Sequence, residues 1–182
     1  MATPQRYLGL DPGYGRLGYA VVEQRGAEWQ LVDVGCIETF ASRSFEERLV
    51  EVHDALDAIL AQWRPQEASL ETLYFSKNVK TAMQVAEARG VLRLTLAKAG
   101  VPAFELAPNA VKLALTGSGS AGKDQVGRMV VRLLGLKEMP KPDDAADAVA
   151  LALAGLRSRP LRQHLAAAKK VPLKPASKGK RA

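Results

Sequence analysis

The stretch Tyr7–Glu23, YLGLDPGYGRLGYAVVE, decides the fold because it holds two apolar runs separated by a glycine-rich seam. The first run ends on Asp11, and Gly13, Gly15 and Gly18 follow before the apolar pattern resumes. A turn without bulky side chains beside an acidic residue lets a phosphate backbone come close. A polar residue is also ordinary at a strand end, so the interpretation needs support from the rest of the chain.

Working outward, three short apolar or alternating runs with glycine-containing turns predict an antiparallel meander. The runs cover residues 6–10, 18–24 and 29–40. Apolar residues then recur at spacings of four and three from Phe45 to Trp63, which predicts an amphipathic helix that Pro65 closes. A fourth strand follows at about 68–72. Because a strand–helix–strand crossover normally returns parallel, this strand can lie beside the first.

The second half of the chain predicts a long helix over residues 79–99, a strand in VPAFELAP and three further helices. The first of these helices is expected from Pro108 to about residue 115, and the second from a Ser120 cap to about residue 134. The third is expected from a cap at Asp143 or Asp144 to about residue 157. The order of elements predicts an α/β fold. Its mixed five-stranded sheet has three antiparallel strands and then parallel strands, and helices flank it.

Length and charge indicate one domain with an appendage. At 182 residues, 47% of them hydrophobic, the chain can bury a substantial core. The net charge is +7, but residues 158–182 carry eight basic residues and no acidic one, which leaves 18 basic against 19 acidic residues elsewhere. We therefore predict one folded domain over residues 1–157. The basic tail over 158–182 has a disordered composition and is either a loose polyanion binder or a solubilising extension.

The rest of the composition favours a cytoplasmic protein that contacts no membrane. Cys36 is the only cysteine, so no intrachain disulfide can form. No window approaches the ~20 apolar residues of a membrane span, and the N-terminus lacks the pattern of a secretion signal.

Four carboxylates are candidates for one acidic site. Asp11 ends the first predicted strand and Glu71 the fourth, and parallel neighbours bring their carboxyl ends to the same edge of a sheet. Asp144 and Asp147 stand three residues apart and share a face in the first turn of the last predicted helix. Each acid also has an ordinary structural interpretation, as a solvated strand end or as a helix cap.

Crowded carboxylates repel one another, and cations between them would relieve that repulsion. With His53 and His164 standing alone, the ligands would be oxygen only, which favours Mg²⁺ or Mn²⁺ over zinc. Two such ions about 3.5 to 4 Å apart can activate a water and stabilise the departing oxygen of a phosphodiester. The pattern therefore predicts metal-dependent phosphodiester hydrolysis.

Four segments, in order, resemble the RuvC family of Holliday-junction resolvases, which have the RNase H-like fold. The segments are GLDPGYGRLGYAVVE, LETLYFSKNVKTAMQVAEARGV, LAPNAVKLALTGSGSAGKDQV and DDAADAVALALA. They extend from about Tyr7 to Leu156, nearly the whole predicted domain.

The resemblance implies a homodimeric endonuclease that resolves four-way DNA junctions by paired symmetric nicks in strands of like polarity. It implies 5′-phosphate and 3′-hydroxyl products, and the RuvA and RuvB branch-migration proteins as partners. Asp11, Glu71, Asp144 and Asp147 would be the catalytic residues and would hold two Mg²⁺ or Mn²⁺ ions, with Asp143 as a cap. We expect the helix over residues 79–99 to form much of the dimer contact.

Five residues are candidates for DNA contact. Tyr74 and Phe75 follow the Glu71 strand directly, in a loop with Lys77, and one ring could stack on an opened base step for about 1 to 3 kcal/mol. We expect Tyr74 to face DNA, whereas Phe75 is equally consistent with a place in the core. The resemblance places Lys112 and Lys123 near the phosphate backbone, and ordinary surface lysines are the alternative.

Three other functions compete with this interpretation. The stretch GSGSAGKD nearly spells a phosphate-binding P-loop, but it has Asp124 where a hydroxyl is needed and a predicted helix where a strand should precede it. An actin-like kinase also opens on a strand, an aspartate and glycines, yet it needs two lobes. A junction-binding protein without activity is the third, and the presence of all four acids argues against it.

Overall fold

The computed structural model describes residues 4–13, 15–72 and 79–169. Its strands are β1 (Gln5–Pro12), β2 (Arg16–Arg25), β3 (Glu28–Glu38), β4 (Glu67–Glu71) and β5 (Ala103–Leu106). Its helices are α1 (Phe45–Trp63), α2 (Val79–Lys98), α3 (Pro108–Thr116), α4 (Lys123–Leu134) and α5 (Asp143–Lys169).

The five strands form one mixed sheet in the order β3-β2-β1-β4-β5. The pairs β1–β2 and β2–β3 are antiparallel, whereas β1–β4 and β4–β5 are parallel. The strand order confirms that the fourth strand returns beside the first. It makes β1 the central strand, with the meander on one side and the parallel strands on the other.

Side-chain alternation divides the core into two layers. One face of the sheet packs on α1 and α2 through residues such as Leu8, Leu10 and Leu70. The other face carries Tyr7 and Ala20 and packs on α5, with α3 and α4 outside it. Helix α5 is therefore buried on nearly all sides from Ala145 to Leu156, which explains its alanine-rich sequence.

Local signals set the ends of α1 as predicted. Ser44 and Glu47 form a reciprocal capping box, in which the backbone N–H of Glu47 donates to Ser44 Oγ and the N–H of Ser44 donates to Glu47 Oε2. Arg64 ends the helix in the left-handed conformation, at φ 47°. Pro65 follows directly, so the predicted boundary is confirmed.

Two predicted helix boundaries are wrong. Helix α4 starts at Lys123 after Gly122, because the Ser120 hydroxyl pairs with Ser118 and the N–H of Gly122 donates to Gln125. Helix α5 runs through Pro160 to Lys169 instead of ending near residue 157. Its last turns are held by tertiary contacts that outweigh the helix-breaking effect of proline.

No helix among the described residues is both long enough and apolar enough to cross a membrane.

Candidate active site

Alternation along β1 places Asp11 on the face that meets α5. Leu8 and Leu10 point into the core layer under α1 and α2, so Gly9 and Asp11 point the other way. Gly9 confirms this direction, because a Cβ added there would lie 2.0 Å from the carbonyl oxygen of Ala148 in α5.

Glu71 reaches the same face and the same edge of the sheet. Ala68 and Leu70 of β4 belong to the layer under α1 and α2, while Ser69 meets Gly155 of α5. Glu71, two residues beyond Ser69, therefore faces α5 as well. Because Leu10 pairs with Leu70 in parallel register, Asp11 and Glu71 end neighbouring strands at one edge.

Helix α5 brings its first turn onto this edge across a glycine. Gly18 of β2 is the register partner of Asp11, and a Cβ on Gly18 would lie 2.0 Å from the carbonyl oxygen of Asp144. The backbone of Asp144 thus lies directly against the residue that pairs with Asp11. The predicted convergence of Asp11, Glu71, Asp144 and Asp147 is therefore supported by the backbone geometry.

Two cations hold the aspartates of α5. Arg16 Nη1 donates to Asp144 Oδ2 at 3.1 Å, and the same guanidinium pairs with Glu38 at 3.1 Å. Lys123 Nζ donates to Asp147 Oδ2 at 3.3 Å and to Asp143 Oδ2 at 3.1 Å. Asp143 lies within the first turn of α5 and is not its cap. These pairs neutralise only part of the acidic charge.

Burial and mutual repulsion raise the pKa of the two strand carboxylates. Burial is the larger cause for Asp11, followed by the charges of Glu71, Asp147 and Asp144, and its pKa rises to about 7. The pKa of Glu71 is also raised, first by burial and then by Asp147, while Arg89 opposes the shift. Such shifts mark a cluster of negative charge that lacks full compensation.

The donor set fits a hard divalent cation. All four candidate ligands are carboxylates, and oxygen ligands suit Mg²⁺ and Mn²⁺. Within the described residues, no three His, Cys, Asp or Glu side chains are drawn closely enough together to enclose an ion. The pKa of Asp11 is raised partly by the negative charges of its neighbours, and a bound cation would relieve that repulsion. The carboxylates therefore fit Mg²⁺ or Mn²⁺.

The glycines of the opening stretch have two roles, and the sequence predicted only one. Gly13 borders the acidic site, where an added Cβ would lie 3.6 Å from Asp144 Oδ1, and a small residue there leaves access for a ligand. Gly15 adopts φ +83°, which favours glycine. Gly9 and Gly18, in contrast, let α5 approach the sheet.

The candidate DNA contacts are only partly within the described residues. Tyr74, Phe75 and Lys77 lie outside them. Lys123 is exposed and pairs with Asp147, so it lies at the acidic edge of the sheet. Lys112 is partly exposed on α3. The DNA-binding roles of all five stay predictions.

The structure contradicts the nucleotide-binding alternative. A P-loop joins a strand to a helix, whereas residues 117–122 join α3 to α4. Gly117 ends α3 in the left-handed conformation, at φ 80°. Gly122 directly precedes α4, so these two glycines mark helix ends and do not form a loop between a strand and a helix.

Sequence reasoning missed two arginines beside the carboxylates. Arg89 of α2 is buried, donates to the backbone carbonyl of Glu71 and pairs with Glu105 at 2.9 Å. Arg16 bridges Glu38 and Asp144. A signal existed for Arg89, because it shares the apolar stripe of Leu92 and Leu96, and a charge on such a stripe needs a partner.

Comparison with known proteins identifies the family of this chain. The family model described as Crossover junction endodeoxyribonuclease RuvC matches residues 7–155. A relative with that name from Chloroflexus aggregans is 46% identical over 158 residues, which are 87% of this chain and 96% of the relative.

Two solved structures of Thermus thermophilus RuvC resemble the chain closely. One is 34% identical with a TM-score of 0.80 and covers 87% of this chain and 97% of its own. The other, in complex with Holliday junction substrate, is 33% identical with a TM-score of 0.83, and the match covers 87% of this chain and 96% of that one. The predicted RNase H-like fold class is confirmed, and the chain belongs to the RuvC family of crossover junction endodeoxyribonucleases.

Proposed function

We propose that this chain resolves Holliday junctions by cutting two strands of like polarity at symmetric positions, leaving 5′-phosphate and 3′-hydroxyl ends. The observation that carries the proposal is the meeting of Asp11, Glu71 and the first turn of α5 at one edge of the sheet. The complex of the Thermus thermophilus relative with Holliday junction substrate supports four-way junction DNA as the ligand.

Asp11, Glu71, Asp144 and Asp147 would hold two divalent ions, Mg²⁺ or Mn²⁺. When bound, such ions supply a nucleophilic water and charge stabilisation for phosphodiester cleavage. Binding would draw the four carboxylates closer together than they stand without ions. Lys123 would then exchange Asp147 for a phosphate oxygen, since an ammonium group serves either anion.

The neighbouring arginines orient the carboxylates for this task. Arg16 holds Asp144 against β2 and β3, while Arg89 fixes the end of β4 through the carbonyl of Glu71. Carboxylates whose positions are set before the substrate arrives need little rearrangement during the reaction. Tyr74, Phe75, Lys77 and Lys112 would contact the DNA around the branch point.

Paired cuts require two active sites, so we propose a twofold homodimer. Helix α2 suits the contact because its side chains Met83 and Leu94 are each 59% exposed, which is unusual for large apolar residues. Leu94→Arg should shift the chain from dimer to monomer in analytical ultracentrifugation, and an unchanged dimer would place the interface elsewhere. We also propose that the protein acts in the cytoplasm together with RuvA and RuvB.

A mobile synthetic four-way junction tests the proposed activity. The pure protein should nick two opposing strands in Mn²⁺ or Mg²⁺ without a nucleotide, and mapping all four strands would show the symmetry of the cuts. Asp11→Asn and Asp147→Asn should each abolish cutting while junction binding survives, because the carboxylate charge is lost without a change in shape.

Asp143→Asn is the matched control, since Asp143 also pairs with Lys123 but lies 88% exposed outside the proposed ligand set. It should retain most of the cutting. Cleavage that persists in Asp11→Asn or Asp147→Asn would overturn the assignment of the ligands. Wild-type protein that shifts the junction on a gel yet never cuts it would favour the non-catalytic binder.

A further inference from the structure

Four exposed cations that lack a carboxylate partner within the described residues lie on α4 and on the segment that follows it. Several arginines around the sheet are paired instead: Arg6 and Arg25 with Glu23, and Arg89 and Arg93 with Glu105. Another set of basic side chains is exposed and makes no ion pair with any other described residue. This set comprises Arg128 and Arg132 of α4 and Lys137 and Lys141 of the following loop.

Arg128 and Arg132 line an open groove between α4 and the start of α5. The groove has a volume of about 880 Å³, and Lys141 also borders it. Its catalytic end contains Lys123 and Asp147, so the groove is continuous with the proposed active site. Arg128 and Arg132 are four residues apart and thus share one face of α4, toward the opposite end of the groove.

The lining suits a backbone and not a compact ligand. Gly127, Ala146 and Ala150 are small residues along the groove, so an extended chain can lie close to the protein. The acidic residues Asp124, Asp143 and Asp147 lie near the first turns of α4 and α5, at the end with Lys123. A polyanion that follows the groove away from the carboxylates would then meet Arg128 and Arg132 and no further acidic lining residue.

The length of the groove sets how much DNA it can hold. Lys123 and Arg132 are nine residues apart on α4, a distance of about 13 Å at 1.5 Å per residue. Phosphates of one strand advance about 3.4 Å along the duplex axis per nucleotide. A strand whose duplex axis lies parallel to α4 would therefore extend about four nucleotides along the groove.

We propose that this groove holds the sugar-phosphate backbone of the cleaved strand where it leaves the carboxylates, with Arg128 and Arg132 each contacting a phosphate. The inference rests on the proposed function, because it places the groove next to the cut. It adds a DNA contact, built on α4, to the proposed carboxylate site.

Salt dependence of junction binding gives the first test. In a metal-free buffer, each phosphate contact contributes about 0.9 to the slope of log affinity against log salt. The double variant Arg128→Ala with Arg132→Ala should lower the slope by about 1.8. Between 50 and 200 mM salt, wild-type affinity should then fall about twelvefold more than that of the double variant. An unchanged slope would contradict the proposal that this groove binds DNA.

Two controls separate a local contact from general charge. Lys98→Ala removes an exposed cation at the end of α2, on the side of the sheet opposite the carboxylates, and should leave the slope unchanged. Arg128→Lys with Arg132→Lys keeps both charges and should restore the wild-type slope. A slope that falls equally in Lys98→Ala would mean that the cations act only through net charge, which contradicts the proposal.

Neutral methylphosphonates locate the contact on the DNA. Substituting phosphates within about four nucleotides of the cut, on one side at a time, should weaken wild-type binding several-fold on one side only. The double variant should not respond to the same substitutions, because its partners are gone. Equal loss in both proteins would overturn the proposal.

The two hypotheses fail in distinguishable ways. A wild-type protein that neither binds nor cuts the junction removes the proposed function and the groove together. A wild-type protein that cuts the junction while the double variant keeps its salt slope and its methylphosphonate response retains the nuclease and removes only the groove.

Discussion

Asp11 illustrates how the position of a single residue determines its chemistry. It ends the central strand, faces α5 and stands beside Glu71 and the first turn of that helix. Burial and three neighbouring carboxylates raise its pKa to about 7, so the metal-free carboxyl is protonated in acid and charged in base. A divalent ion must displace that proton to bind.

Metal binding should therefore depend on pH with a defined sign. At pH values below the Asp11 pKa of about 7, the affinity for Mn²⁺ should rise about tenfold per pH unit, because proton and metal compete for this carboxylate. At higher pH the affinity should level off. Titration calorimetry from pH 5 to 8 would measure this, with release of about one proton on the acid side. Asp11→Asn should bind more weakly with a flatter profile, and an equally steep profile in that variant would assign the proton to another group.

The stability of the metal-free protein should depend on pH in the opposite direction, decreasing as the pH rises. The folded state holds a proton on Asp11 up to about pH 7, whereas the ordinary pKa of the group is 3.8. This carboxyl therefore favours the folded state most in acid, and its contribution decreases as the pH rises between these values.

Arg89 supports the other strand carboxylate. Its guanidinium is 7% exposed and joins α2 to the carbonyl of Glu71 and to Glu105. Arg89→Met would remove the buried side-chain donor to that carbonyl, so we expect a loss of about 1 to 3 kcal/mol in the free energy of unfolding. Because Arg89 opposes the upward pKa shift of Glu71, Mn²⁺ affinity near neutral pH should fall as well.

Arg93→Met is the matched control for chemical denaturation. Arg93 pairs with the same Glu105 at 2.7 Å but is 64% exposed, so its removal should cost less than about 1 kcal/mol. Equal losses in the two variants would show that Glu105, and not the carbonyl of Glu71, carries the effect.

At the scale of elements, the contact between α5 and the sheet assembles the site. The helix crosses β1 at Gly9 and β2 at Gly18, and its own Gly155 admits Ser69 of β4. Alanine-rich sequence on the helix and glycine on the strands bring the two backbones close. Asp144 and Asp147 therefore arrive beside Asp11 through backbone packing and not through long side chains.

Gly18→Ala tests this contact. Its new Cβ would lie 2.0 Å from the carbonyl oxygen of Asp144, so the start of α5 has to move. We expect a loss of about 1 to 3 kcal/mol in stability, together with cleavage reduced more than tenfold. Denaturation and junction cutting would measure the two effects.

Gly119→Ala provides the comparison, since its Cβ would approach nothing closer than 3.4 Å. It should change stability and cutting little. If Gly18→Ala cut DNA normally, the helix position would not control the catalytic carboxylates.

At the scale of the whole molecule, α5 connects opposite edges of the sheet. It begins at the carboxylates, and farther along the helix Arg159 and Arg162 pair with Glu67 at the start of β4, at 3.0 and 2.7 Å. Arg162 also lies 4.3 Å over the ring of Phe104 in β5. The basic sequence after residue 157 is thus in part a structural segment, which the compositional boundary did not anticipate.

Two truncations test where the folded domain ends. Ending the chain after Arg157 should lower the free energy of unfolding by about 2 kcal/mol or more, because Glu67 loses both of its arginine partners and Phe104 loses its stacked cation. Ending it after Lys169 should change stability by less than about 0.5 kcal/mol. Equal stabilities in thermal unfolding would restore the boundary at residue 157.

Local patterns in the sequence were sufficient for most of the architecture. Alternation predicted the strands, the spacing of apolar residues predicted α1, and the crossover rule predicted β4 beside β1. The four segments in order indicated the family and the acids Asp11, Glu71, Asp144 and Asp147. These features depend on neighbours along the chain, or on rules of chain connection that hold for any α/β sheet.

Only the tertiary structure decided how closely the parts approach and which charges meet. The close packing at Gly9 and Gly18, the pairing of Lys123 with Asp147 and the end of α5 beyond Pro160 each join residues distant in sequence. Such contacts depend on the separation and orientation of packed elements, which periodicity and composition do not contain. Burial then set the pKa of Asp11, because desolvation exists only once the helix covers the strand.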